Sequence, residues 1–258
     1  RIKGRAHYAV DPDAPAQAGI VDLDKAPRNT DGLVEFSADV MILTPVDPKK
    51  GNRRIFYDWG NRGNIRALQF FNDAQGSNDP LVPEHAGNGF FFRRGYSVVF
   101  SAWQGDLLPG DGRFLLDLPI ATDNGNPITG LVRSEFILES PGVTTQPLSG
   151  WSNTRSYPTA SLDTSKAQLT RRPYADAPRE AIPTDQWMFA RNEGGIGLDG
   201  VAKQTAIVPS ETNIFLPAGF EPGVIYELVY TGRDPLVLGL GHTAVRDLIG
   251  FLKHDSTD

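Results

Sequence analysis

Apolar and polar residues alternate along residues 33–43, with Val34, Phe36, Ala38, Val40 and Ile42 on one side and Glu35, Ser37 and Asp39 on the other. Successive side chains of a strand face opposite ways, so this pattern predicts a half-buried strand. The cluster Pro45-Val46-Asp47-Pro48-Lys49-Lys50-Gly51-Asn52 reads as a turn. Residues 54–59 predict a second strand, running into the loop Gly60-Asn61-Arg62-Gly63-Asn64, and a short helix should follow with Ile65, Leu68 and Phe71 on one face. Residues 95–103 differ, because Tyr96, Val98, Val99, Phe100, Ala102 and Trp103 run almost unbroken. That is the signature of a strand covered on both faces. It too ends in a polar loop, Gln104-Gly105-Asp106. Open α/β sheets bind ligands at the carboxyl ends of their strands, which is where both loops lie.

The character changes over residues 107–222. Phe114, Leu116, Leu118 and Ile120 alternate with small or polar residues, as do Val132, Ser134, Phe136 and Leu138 against Arg133, Glu135 and Glu139. Asp123-Asn124-Gly125-Asn126 between them is a tight-turn signal. Further short strands are expected at 167–171, 186–190, 203–208 and 213–216, separated by Pro, Gly and Asp. Residues 225–230 predict a strand, Asp234-Pro235 a helix start, and Leu240, Ala244, Leu248 and Leu252 an amphipathic helix over about 242–253. The expected organisation is a core from 1–106, a β-rich insertion or subdomain from 107–222, and a strand and helix returning to the core from 223–258. Such a core belongs to the α/β class.

Composition narrows the partners. The chain has 258 residues, a net charge of −6, 27 glycines, 20 prolines and no cysteine. The glycine and proline content suits short strands joined by many turns. Arg53-Arg54, Arg93-Arg94 and Arg171-Arg172 are isolated pairs rather than a basic stripe, so no nucleic-acid partner is expected. No apolar run reaches the ~18–20 residues of a membrane-spanning helix. Without cysteine there are no disulfides, thiolate metal sites or cysteine nucleophiles. His7, His85 and His254 lack partners at metal-ligand spacing, and no cofactor is expected.

An ordered series of motifs resembles the opening of a large family of bacterial alpha/beta hydrolase domain proteins. It runs from Gly4-Arg5-Ala6-His7-Tyr8 and Ala26-Pro27-Arg28-Asn29 through Asn61-Arg62-Gly63-Asn64 and Gly87-Asn88-Gly89-Phe90 to Trp103-Gln104-Gly105-Asp106. It continues at Leu216-Pro217-Ala218-Gly219-Phe220, Tyr226-Glu227-Leu228-Val229-Tyr230 and Ala244-Val245-Arg246-Asp247-Leu248. The resemblance implies a partial α/β-hydrolase-type sheet with a β-rich insertion. It also implies a Gly-x-Ser-x-Gly nucleophile motif shortly after a helix ending near Lys253, with the acid and the histidine later still. No such motif occurs in the chain. Gly150-Trp151-Ser152-Asn153-Thr154 comes nearest and lacks the second glycine. The chain ends at Asp258, where an α/β pattern would place its next strand. The resemblance therefore implies the N-terminal portion of a serine hydrolase of carboxylic esters, inactive alone, whose partners are a small-molecule ester and the C-terminal remainder of the same fold.

Within 1–258, the loop Asn61, Arg62 and Gly63 is the candidate oxyanion hole, because glycine lets a backbone amide approach a substrate oxygen. The competing reading is a structural turn with Asn capping the next helix. Trp103, Gln104 and Asp106 are pocket candidates, against Trp103 as core and Asp106 as a partner for backbone amides. His242 reads as a helix-terminal surface histidine, and Gly239-x-Gly241 as close packing of helix on sheet. The pairs Asp11 and Asp13, and Asp22 and Asp24, sit among turn residues. The alternative for the whole chain is a non-catalytic β-rich binding or interaction module.

Overall fold

The computed structural model describes residues 1–194 and 206–255. Strand accounts for 34% of the described residues and helix for 16%, in several small sheets that are mostly antiparallel. This overturns the expected α/β class and its partial α/β-hydrolase-type sheet: the fold is β-rich. The physical reason lies in the connections. Parallel strands need crossovers of a dozen or more residues, usually helices lying on the sheet. The helices α1 (Ala67–Phe71) and α2 (Phe90–Arg93) are about one turn each, and α3 (Leu240–Gly250) is the longest among the described residues. The chain divides into two compact units, residues 1–124 with 236–258 and residues 125–235.

The first unit is built on the order β1-β2-β4-β3, with the short β5 also on β2. Strand β1 (Ile2–Val10) pairs antiparallel along β2 (Val34–Leu43), from Ile2 opposite Ile42 to Val10 opposite Val34. The sequence pattern did not announce β1, because most of its side chains are exposed and carry little alternation. In β2 the predicted face holds for Val34, Phe36 and Ala38, all buried. Beyond them Ser37 and Met41, on the opposite face, are buried as well, since β2 is an interior strand covered on both sides. Strand β3 (Ile55–Asp58) runs parallel to β4 (Ser97–Ser101), the one parallel ladder among the described strands. β4 is fully covered at Val98, Val99 and Phe100, as its unbroken apolar run predicts. Strand β5 (Leu116–Asp117) is shorter than the alternation from Phe114 to Ile120 suggests, and Ile120 instead bridges to Leu236. Strands β6 (Thr122–Asp123) and β7 (Asn126–Pro127) flank the turn whose residues Asn124 and Gly125 take φ of 50° and 82°. Positive φ at both central positions is the type I′ geometry that Asn-Gly favours.

The second unit holds a four-stranded antiparallel sheet, β11-β10-β15-β8. Its members are β8 (Thr129–Ile137), β10 (Gln168–Arg172), β11 (Glu180–Ile182) and β15 (Ile225–Arg233). The pairs β9 (Thr145–Pro147) with β14 (Asn213–Phe215), and β12 (Ala190–Glu193) with β13 (Ala206–Pro209), complete it. The strand expected at 203–208 begins outside the described residues. The strand expected at 186–190 is replaced by a single bridge from Met188 to Phe215, with β12 starting at Ala190. Alternation in β8 and β15 turns Phe136, Tyr226, Leu228 and Tyr230 inward, onto Leu169, Trp187 and Ile214.

Candidate functional site

The two loops singled out in the sequence meet in the first unit. They follow β3 and β4, and because these strands are parallel neighbours their carboxyl ends lie side by side. Asp58, the last residue of β3, organises the first loop. Its Oδ1 accepts from the Gly60 amide at 2.7 Å, and its Oδ2 accepts from the amides of Arg66 and Ala67 at 2.8 and 2.7 Å. The carboxylate thus caps the first turn of α1 from outside it, where unpaired amides favour negative charge. Asn61 and Asn64 close the loop by exchanging backbone hydrogen bonds of 2.9 and 3.1 Å. Gly60 has φ of 64°, and a Cβ there would sit 2.7 Å from the Asn64 carbonyl oxygen, so this position requires glycine.

The second loop clasps the first. The Arg62 amide donates to Gln104 Oε1 at 2.6 Å, and Arg62 Nη1 donates to both carboxylate oxygens of Asp106 at 3.0 and 2.9 Å. Trp103 Nε1 donates to the Gly60 carbonyl at 3.3 Å. The Trp103 ring stacks on Trp59 at 5.6 Å and meets His242, near the start of α3, at 5.7 Å. Helix α3 is held close here, because Gly241 leaves no room for a Cβ against the Trp103 carbonyl. All six sequence candidates, Asn61, Arg62, Gly63, Trp103, Gln104 and Asp106, therefore belong to one clasp. Asp58, which positions the first loop, escaped sequence reasoning. Its signal was an Asx residue at a strand end just before Trp-Gly, and it is legible only when the helix start eight residues on is known to fold back.

The clasp restricts what the loop amides can do. Those of Gly60, Asn61, Arg62 and Asn64 already donate within it. Gly63 accepts from the Phe114 amide at 2.9 Å, and a Cβ on it would lie 2.8 Å from Arg113 Cβ. Its own amide is, among the described residues, the one in the loop with no partner. Between the loops lies a seam too tight to admit a water molecule, lined by Trp59, Gly60, Gly63, Ser101, Trp103 and Gln104 among others. Ser101 Oγ there bonds to the Tyr57 hydroxyl at 2.5 Å. Burial pushes the Tyr57 phenol up, against an opposing pull from Ser101, so it is neutral at neutral pH and no base for that serine. Ser152, in the sequence stretch nearest a nucleophile motif, lies in an exposed turn of the second unit.

Among the described residues, no cluster of three or more His, Asp or Glu is arranged to hold a metal ion. No described helix is long and apolar enough to cross a membrane. Comparison of the chain with protein-family models, with curated proteins and with solved structures found no match.

Proposed function

We propose that this chain is part of an enzyme that hydrolyses carboxylic esters by acyl transfer, and that it supplies a wall of the acyl site while the nucleophile lies elsewhere. The observation that carries this reading is the clasp of Arg62 with Gln104 and Asp106, which ties together the loops at the carboxyl ends of two neighbouring strands. The unengaged Gly63 amide is its one candidate oxyanion donor. A preorganised amide of this kind stabilises charge developing on a carbonyl oxygen without reorganising during reaction. Trp59, half exposed and stacked on Trp103, offers an apolar face beside the clasp.

The test uses the complete gene product and residues 1–258 side by side, with a p-nitrophenyl ester and a fluorophosphonate probe. The complete product should hydrolyse the ester and be labelled on a serine outside 1–258, while 1–258 alone should do neither. Asp106→Asn should lower kcat/KM about tenfold by loosening the clasp. Labelling of a serine within 1–258, or a complete product inert to both reagents, would overturn the proposal. Inertness would favour a non-catalytic binding module. That second reading draws on the loop amides of Asn61 and Arg62, which are already spent within the protein.

A further inference from the structure

A second site lies on the first unit, away from the residues of the clasp. A cavity of about 640 Å³ is lined by Leu43, Pro45, Leu68, Leu81, Phe92 and Tyr96, with further apolar residues around its rim. This is within the roughly 300–1,000 Å³ typical of small-molecule sites, which are mostly apolar with a few placed polar groups. Its walls come from the end of β2 and the segment after it, from α1, from residues 80–86 and from α2 and its end, with Arg1 at the chain start, so five stretches of chain shape one hollow. Leu81 and Val46 are strongly exposed there, which is costly unless something covers them.

The polar groups lining this cavity are Arg1, Thr44, Asp47, Lys50 and His85, of which Lys50 is the cation without an ion pair. Lys50 lines it, and Lys49, Arg53 and Arg54, all exposed, lie close to it along the chain. Among the described residues none of these four side chains makes an ion pair, whereas most other arginines do. Asp47 is the acidic residue of the lining, and its Oδ1 already accepts from the Lys49 amide at 3.0 Å. Arg1 is engaged by Asp79 at 2.9 Å. His85 Nδ1 accepts from the Leu81 amide at 3.1 Å, which places the ring proton of its neutral form on Nε2 as a donor. In a chain of net charge −6, an unpaired lysine at the edge of an apolar hollow is a local point of attraction for an anion.

We infer that this cavity binds a soluble amphiphile with an anionic head, of the medium-chain carboxylate class, its chain in the apolar hollow and its carboxylate at Lys50. The inference does not rest on the hydrolase reading, since it involves no residue of the clasp. Isothermal titration of residues 1–258 with decanoate should show saturable one-site binding. Lys50→Gln should weaken decanoate about three- to fivefold and leave decanol unchanged, the difference expected for one partly exposed ion pair. Ala86→Phe, which fills the hollow, should abolish binding of both. Val46→Trp, at a fully exposed rim position, should do so without endangering the fold. No saturable decanoate binding, equal effects of Lys50→Gln on decanoate and decanol, or binding that survives both blocking variants would overturn the inference. So would binding only to phosphatidylglycerol vesicles, which would mark the cationic turn as a membrane contact.

Discussion

Glu227 should make this protein acid-sensitive through one carboxylate. It sits in the middle of β15 with 8% of its surface exposed, directly opposite another acid, Glu135 on β8. Like charges opposed across a ladder repel. Arg133 relieves the clash by binding both, with Nε 2.6 Å from Glu227 and Nη2 3.0 Å from Glu135, and Arg179 adds bonds of 2.9 and 3.1 Å to Glu227. These bonds, Arg179 first and then Arg133, outweigh burial and pull the Glu227 carboxyl from 4.5 to about 2. Such a depression corresponds to about 3 kcal/mol of stability at 1.36 kcal/mol per pH unit. Both arginines are about half exposed, at 52% and 48%, so solvent screening brings the contribution to about 2 kcal/mol. A depressed carboxyl stabilises fully above its unfolded value and loses that contribution as pH falls through its folded one. The window is therefore pH 4.5 down to about 2. Urea unfolding followed by the fluorescence of Trp187, buried in the same unit, measures it. Glu227→Gln should cost about 2 kcal/mol at pH 7 and progressively less as the pH approaches 2. An equal cost at pH 7 and pH 2.5, or no cost at pH 7, would refute the argument.

Other substitutions probe packing and capping. Gly241→Ala places a Cβ 2.0 Å from the Trp103 carbonyl oxygen, so α3 must move; thermal unfolding should show a loss of about 3 kcal/mol. Asp58→Ala removes the acceptor for the Gly60, Arg66 and Ala67 amides and should cost about 2 kcal/mol, with faster hydrogen exchange at 60 and 66–67 as its signature. Burial holds the Tyr230 phenol up at about 12, and its hydroxyl donates to the Tyr157 carbonyl at 2.9 Å. Tyr230→Phe should cost about 1 kcal/mol in denaturant titrations and remove a tyrosine that resists ionisation in alkaline difference spectra.

Local pattern by itself located much of this chain's secondary structure. The alternation at 33–43 became β2, the apolar run at 95–103 contained β4, and the four-residue recurrence from Leu240 became α3, which starts two residues earlier than expected. Asn124-Gly125 fixed a turn because few residue pairs tolerate positive φ twice. The loops flanking the clasp were also legible, as polar glycine-bearing ends of two strands. Side-chain periodicity says which side of a strand is apolar, but backbone groups make the ladder, and any strand can offer those to any other. The pattern therefore left undetermined that β4 lies between β2 and β3, that nearly all pairing is antiparallel, and that β1 exists at all. Nor did it reveal that Met41 and Ser37 would be buried, since this follows from what covers the second face of β2. Tertiary structure also decided the chemistry of the candidate site. Arg62, Gln104 and Asp106 lie some forty residues apart, and only the parallel registration of β3 with β4 brings them to hydrogen-bonding distance. The same contact consumes the Arg62 amide that the sequence had offered as an oxyanion donor, because a loop held rigid by hydrogen bonds has fewer left to give a ligand.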